Sequence, residues 1–174
     1  GFWLPPVPLA LSGANVNAGH PCLNSDASEL YFVSDSTGGY GGFDIYCSKR
    51  KDGHWQAPEN LGPVINGEHN ELFPFLHSSG RLYFASDRID SLGFDIYYSD
   101  YTEGDWKSPV RLEEPINTRF NDFSFICDET TENGYFSSDR EGSDDIFRFY
   151  STFPAFDGCD TMVQNEYCYT FFEK

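Results

Sequence analysis

Six aspartates recur along the chain at nearly constant spacing. Asp35, Asp87 and Asp139 stand 52 residues apart, and Asp44, Asp95 and Asp145 follow them at steps of 51 and 50. Carboxylates in such a pattern admit three chemistries: acid and base on a glycosidic bond, a calcium site, or acceptance of backbone N–H bonds in tight turns. The densest run, Asp139-Arg140-Glu141-Gly142-Ser143-Asp144-Asp145, offers Asp139, Asp144 and Asp145 as a weak calcium candidate but lacks EF-hand spacing. With 28 Asp and Glu in the chain, some pair occurs at any separation, so pairing by itself says little about catalysis. Recurrence in every unit favours a structural task, because chemistry at a single site has no need of three copies.

The other reactive residues fall short of a recognisable site. His20, His54, His69 and His77 form no H-E-x-x-H, and Glu68-His69-Asn70-Glu71 has the letters in the wrong order for a zincin. No Gly-x-Ser-x-Gly elbow is present, so a hydrolase would have to keep its catalytic domain elsewhere. The five cysteines lack C-x-x-C spacing. Cys159 and Cys168 are close enough in sequence to be joined in an oxidising compartment, or else are two separate thiols. Neither metal nor cofactor is expected, and the chain reads as a non-enzyme. Trp3, Trp55 and Trp106, once per unit between Gly and Pro, could stack on a sugar or peptide. Their place on an outermost strand favours packing across the edge. Arg88 and Arg140 are expected to pair with nearby acids at the surface, where such pairs contribute little.

These residues are positioned by a repeat. Tyr31-Phe32-Val33-Ser34-Asp35 returns as Tyr83-Phe84-Ala85-Ser86-Asp87 and Tyr135-Phe136-Ser137-Ser138-Asp139. Phe43-Asp44-Ile45-Tyr46 returns as Phe94-Asp95-Ile96-Tyr97 and more loosely as Asp144-Asp145-Ile146-Phe147. Gly53-His54-Trp55 matches Gly104-Asp105-Trp106, and Ile65-Asn66 with Asn70-Glu71 matches Ile116-Asn117 with Asn121-Asp122. Each unit predicts four strands: an entering one such as 72–76, the Tyr-Phe-x-Ser-Asp run, the Asp-Ile-Tyr run, and one around the Trp. Turns at Ser78-Ser79-Gly80, 88–93 and Thr102-Glu103-Gly104 join them. The repeated acids are expected to hold the hairpin between the second and third strands.

Alternation puts Tyr83 and Ala85 on one face and Phe84 and Ser86 on the other, so the strands are apolar on both sides. A four-stranded unit of about fifty residues cannot cover both faces alone, whereas radially stacked units can. The fold class is therefore all-β, a β-propeller of four-stranded antiparallel blades, with three blades plus a leading outer strand. Residues 1–17 read as the outer strand and end of a preceding blade, with Val16-Asn17 in the part of Ile65-Asn66. Residues 18–70 and 71–121 read as blades, 122–152 as a blade lacking its own outer strand, and 153–174 as a linker or the start of a following domain. Three blades do not close a ring of four to eight. The chain is expected to be a piece of a larger ring, or to assemble with Gly1 to Leu11 as an outer strand.

Composition agrees. Hydrophobic residues are 39% and aromatics 18% of 174 residues, enough buried surface to offset the entropy of ordering the chain. Gly 16 and Pro 10 favour many short elements. Net charge is −17, which repels phosphate backbones and anionic membranes, so no nucleic-acid partner is expected. No stretch approaches the ~20 apolar residues of a membrane span.

The units resemble the TolB-type, or PD40 (WD40-like), β-propeller repeat, carried by Asn24-Ser25-Asp26-Ala27, Ser34-Asp35 and Asp44-Ile45-Tyr46 in the first copy. Ser78-Ser79-Gly80, Ser86-Asp87-Arg88 and Asp95-Ile96-Tyr97 carry the second, and Ser138-Asp139-Arg140 with Asp145-Ile146-Phe147 the third. Ser36 stands where Arg88 and Arg140 stand, and Asp144 where Phe43 and Phe94 stand. The long form with Gly-x-Trp-x-x-Pro is similar to propellers of Bacteroidetes envelope proteins that carry OmpA-like or PKD-like companions. The resemblance implies a periplasmic or outer-membrane-associated scaffold with envelope proteins as partners, some in type IX secretion and gliding. A propeller of a hydrolase, glycosidase-like or accessory, and a glycan- or peptidoglycan-binding module are the alternatives. The loops 36–42, 89–93 and 141–143 occupy one place in each unit yet differ in chemistry, so they are the expected contact sites.

Overall fold

A computed structural model describes residues 2–9, 11, 16–89, 93–151 and 171–173. All regular structure among them is β. The first sheet contains β1 (Ala18–Leu23), β2 (Glu29–Ser34), β3 (Asp44–Lys51) and, on its outer edge, β4 (His54–Trp55) and β5 (Glu59–Asn60), both paired with β3. The second contains β6 (Glu71–Leu76), β7 (Leu82–Ser86) and β8 (Asp95–Ser99); β9 (Tyr101–Thr102) and β10 (Asp105–Trp106) form a hairpin, and β11 (Val110–Arg111) pairs with β8. The third contains β12 (Asp122–Cys127), β13 (Asn133–Ser138), β14 (Asp145–Tyr150) and β15 (Phe171–Glu173). Neighbouring strands are antiparallel throughout.

The core lies between sheets. One cluster joins Tyr31, Val33, Ile45 and Ile65 of the first unit to Leu82, Phe84 and Tyr97 of the second. The other joins Tyr83 and Ile96 of the second unit to Phe125, Phe136, Phe147 and Phe149 of the third. Phe84 and Tyr83, neighbours in sequence, thus face opposite partners, as a period of two requires. Each such ring contributes roughly 1.5–3 kcal/mol when buried. Tyr135 and Ile146, the third-unit counterparts of Tyr83 and Ile96, are 45% and 69% exposed, whereas Tyr83 and Ile96 are 1% and 0% exposed. The difference is what stacking predicts: the second unit has a sheet on this side.

The innermost strands meet at the hub. His20 of β1 stacks on Phe73 of β6 at 4.0 Å, and Phe73 lies 5.3 Å from Phe123 of β12. Each inner strand carries a bulge at the same place, with positive φ at His20 (50°), Phe73 (53°) and Ser124 (57°). A bulge bends the strand and re-aims its side chains.

At the outer edge the single fourth strand expected around the Trp is split. Pro58 and Pro109 interrupt it, since proline has no N–H for the ladder. Serine hydroxyls bridge the gap: Ser48 Oγ donates to the Gln56 carbonyl and Ser99 Oγ to the Lys107 carbonyl, both at 2.6 Å.

Three expectations about the ends change. Residues 2–9 form no strand, and the outer strand of a preceding blade is absent from them. Asn17 takes the part of Asn70, not of Asn66, because it bonds Asp35 as Asn70 bonds Asp87. The third sheet has an outer strand after all: β15 pairs with β14 from within the segment read as a linker, where Phe171-Phe172 supplies β-prone residues.

Candidate functional site

Asp35, Asp87 and Asp139 make one arrangement three times. Each accepts a backbone N–H and a side-chain N–H from a single asparagine: Asn17 (2.7 and 2.6 Å), Asn70 (2.8 and 3.0 Å) and Asn121 (2.9 and 2.7 Å). These three acids therefore clamp the entry of the innermost strand, and of the repeated acids Asp44 is the one whose described bonds hold the loop between second and third strands. Hydrogen bonds from Asn17 hold the Asp35 carboxyl below its usual range. The asparagine also reaches the preceding unit. Asn70 Oδ1 accepts from Phe43 N–H (3.1 Å) and Asn121 Oδ1 from Phe94 N–H (3.0 Å).

Asp44, Asp95 and Asp145 share a position at the start of the third strand, and the first two differ in partner. Asp44 accepts from the Tyr40 and Gly41 amides at 2.6 and 3.1 Å and from Asn60 at 2.8 Å. Asp95 takes Arg111, which stands where Asn60 does, through two bonds of 2.8 and 2.7 Å. That bond raises the Arg111 pKa. Asp145 is half-buried. Among the described residues no group of three or more His, Cys, Asp or Glu could hold a metal ion. Asp139, in the run singled out for calcium, has both oxygens engaged by Asn121.

The arginines sit deeper than the sequence suggests. Arg140 bonds the fully buried Asp122 at 2.6 Å and the carbonyls of Pro115 and Ile116 at 2.8 and 2.6 Å. Arg88 bonds the fully buried Glu71 at 3.2 Å and the Ile65 carbonyl at 2.8 Å. Each guanidinium also covers two rings: Phe84 and Tyr97 for Arg88, Phe136 and Phe147 for Arg140. These are inter-unit clamps, not solvated surface pairs. The first unit lacks both halves, with Ala18 at the acid position and Ser36 at the arginine position. Burial raises the Glu71 pKa even so.

Sequence reasoning gave Asn66 and Asn117 no task. Both are buried and imitate a strand residue: each donates to and accepts from one backbone position, Ile45 or Ile96, at 2.7–2.9 Å. Their repetition beside an isoleucine was the only signal.

The aromatics divide. Tyr46 stacks on Phe32, Tyr97 on Phe84 and Phe147 on Phe136, ring centroids 5.7–6.1 Å apart across the second and third strands. Trp106 packs against the core between the first two units and edge-on to Tyr101 at 5.0 Å, and Trp55 lies under Arg50. Trp3 is fully exposed and does not pack. Cys22, Cys47 and Cys127 are free thiols, and burial pushes the latter two up to about 11 and about 12, so they serve as small apolar groups. Cys159 and Cys168 lie outside the described residues. In the loops between second and third strands, Tyr40 and Ile89 expose apolar surface; residues 90–92 lie outside the described set.

No protein-family model matches the chain, and no curated protein does either. Solved structures do. TolB from Acinetobacter baumannii is similar over 77% of this chain and 30% of its own, at 19% identity and a TM-score of 0.56. A puromycin-hydrolysing peptidase from Mycobacterium tuberculosis is similar over 81% of this chain and 23% of its own, at 17% identity and a TM-score of 0.54. The fold is that of a β-propeller. Three antiparallel sheets, stacked face to face with their first strands at a hub, are three propeller blades, and the chain spans under a third of either structure it matches. Among the described residues no helix is long and apolar enough to cross a membrane.

Proposed function

We propose that these blades belong to a non-catalytic propeller scaffold that holds protein partners in the bacterial cell envelope, at the periplasmic face or in association with the outer membrane. A type IX secretion or gliding complex is the specific setting that the blade sequence resembles. One observation carries the reading: the repeated polar residues whose bonds are described use them inside blades and between neighbouring blades, while the loops at one end of the blades vary. Asn70 and Asn121 fix the hub end of each blade to its predecessor, which makes a rigid base for those loops. Tyr40 and Ile89 present apolar surface there.

The test is a combined Tyr40→Ser, Ile89→Ser, Glu141→Ser variant, which keeps the loop backbones. Capture of envelope proteins by the wild-type chain is expected to fall by roughly ten-fold or more, as removal of interface anchors does, with circular dichroism unchanged. Undiminished capture would remove the reading. The likeness to a peptidase favours a second one, the accessory propeller of a hydrolase. The flanking gene sequence separates the two: OmpA-like or PKD-like segments support the scaffold, an α/β-hydrolase segment the enzyme.

A further inference from the structure

The gap between the first and second blades is hollow toward its outer end, with a cavity of about 600 Å³. Tyr31, Cys47 and Leu61 line it from one blade and Leu76, Tyr101 and Trp106 from the next. Three carboxylates, Glu29, Glu59 and Asp105, share the lining with one ammonium, Lys49. It lies at the end of the blades opposite the loops that join second and third strands, since Glu29 opens β2 and those loops follow Ser34.

The next gap shows what normally fills this space. In the second blade the counterparts of Glu29, Cys47 and Lys49 are Arg81, Tyr98 and Asp100. Tyr98 packs against the core between the second and third blades, and the Arg81 guanidinium lies 4.1 Å from its ring centroid. Asp100 receives two bonds from that guanidinium, at 2.8 and 3.0 Å, and Arg81 is only 5% exposed. In the first blade the ring has shrunk to a thiol and the arginine has become a glutamate. The space is open, its walls keep the aromatic and carboxylate surfaces that a guanidinium seeks, and Glu59 adds a charge where the second blade has Val110.

We propose that this cavity binds an arginine side chain presented by a protein partner, so that a guanidinium supplied from outside fills the place that Arg81 fills from within one blade further on. Carboxylates match the fork of guanidinium donors and the rings of Trp106 and Tyr31 its flat faces, which a compact ammonium satisfies less well. The proposal does not depend on the envelope setting or on the loops at the other end.

The test is a titration of the full chain with N-acetyl-arginine methylamide, followed by NMR at the Trp106 indole N–H, with Trp55 and Trp3 as internal controls. Saturable shifts confined to Trp106, with binding roughly ten-fold or more weaker for the citrulline and lysine counterparts, are expected. Cys47→Tyr, which rebuilds the ring of the second blade, should abolish the shift. Glu59→Gln, a surface change that leaves the fold alone, should weaken binding several-fold. No shift at Trp106, equal binding of citrulline or lysine, equal shifts at Trp55 and Trp3, or undiminished binding by Glu59→Gln would each overturn the proposal.

Discussion

Arg88 and the buried Glu71 pair within the second blade and together reach the first, Arg88 donating to the Ile65 carbonyl and Glu71 accepting from Gly67 N–H, and removing one partner leaves the other charge or its acceptors stranded. Arg88→Met is expected to cost about 3 kcal/mol, the low end for breaking a buried pair, measured by urea unfolding. The double variant Glu71→Ala, Arg88→Ser reproduces what the first blade has at Ala18 and Ser36. It should cost less than the two single changes added together, a coupling that a double-mutant cycle reads directly. His20 gives a pH prediction. Its Nδ1 accepts from Phe73 N–H at 3.3 Å, and burial lowers its pKa from 6.5. The unfolded chain therefore takes up the proton first as pH falls, so stability present above about 6.5 is lost on descent through the lower folded value. The urea midpoint should drop between pH 7.5 and 5.5, and His20→Gln should flatten that drop. Residue roles were the least legible part of the sequence. Asn66 and Asn70 stand in one unit, and letters alone cannot say which of them Asn17 copies; only its bonds to Asp35 decide.

At the scale of elements, the link between blades runs through a glycine before the third strand of the first and second blades, Gly42 and Gly93. Gly93 has a φ of +75°, and a Cβ there would come within 2.5 Å of Asn121 Oδ1, the atom that accepts from Phe94 N–H. Gly93→Ala is expected to destabilise by about 2 kcal/mol, through positive φ and the displaced asparagine together, measured by thermal or urea unfolding. Gly42→Ala meets Asn70 in the same way, without the positive φ. The second and third strands and the turns around them were readable because alternation and Ser-Ser-Gly or Glu-Gly pairs mark them. The inner bulges were not: His20, Phe73 and Ser124 carry no turn signature, and the bend is imposed by packing at the hub. The split outer strand was foreshadowed by Pro58 and Pro109, but the serines that bridge it lie on the facing strand, which a reading along one strand does not reach.

For the molecule as a whole, a surface with net charge −17 spreads repulsion over sheets held together chiefly by rings. The stacking was foreseeable from strands apolar on both faces, since only another sheet can cover each of them. What the period could not disclose is that one gap is filled and the other hollow, because that turns on Cys47 against Tyr98 and Glu29 against Arg81. The most direct measurement is a NOESY spectrum of the chain with assigned aromatic rings. Strong cross-peaks are expected between Tyr83 and Phe125, whose centroids lie 4.7 Å apart across the second and third blades, and between His20 and Phe73 across the first and second. Absence of both, with the within-blade contact of Phe136 and Phe147 still present, would show sheets that form without stacking and would contradict the account.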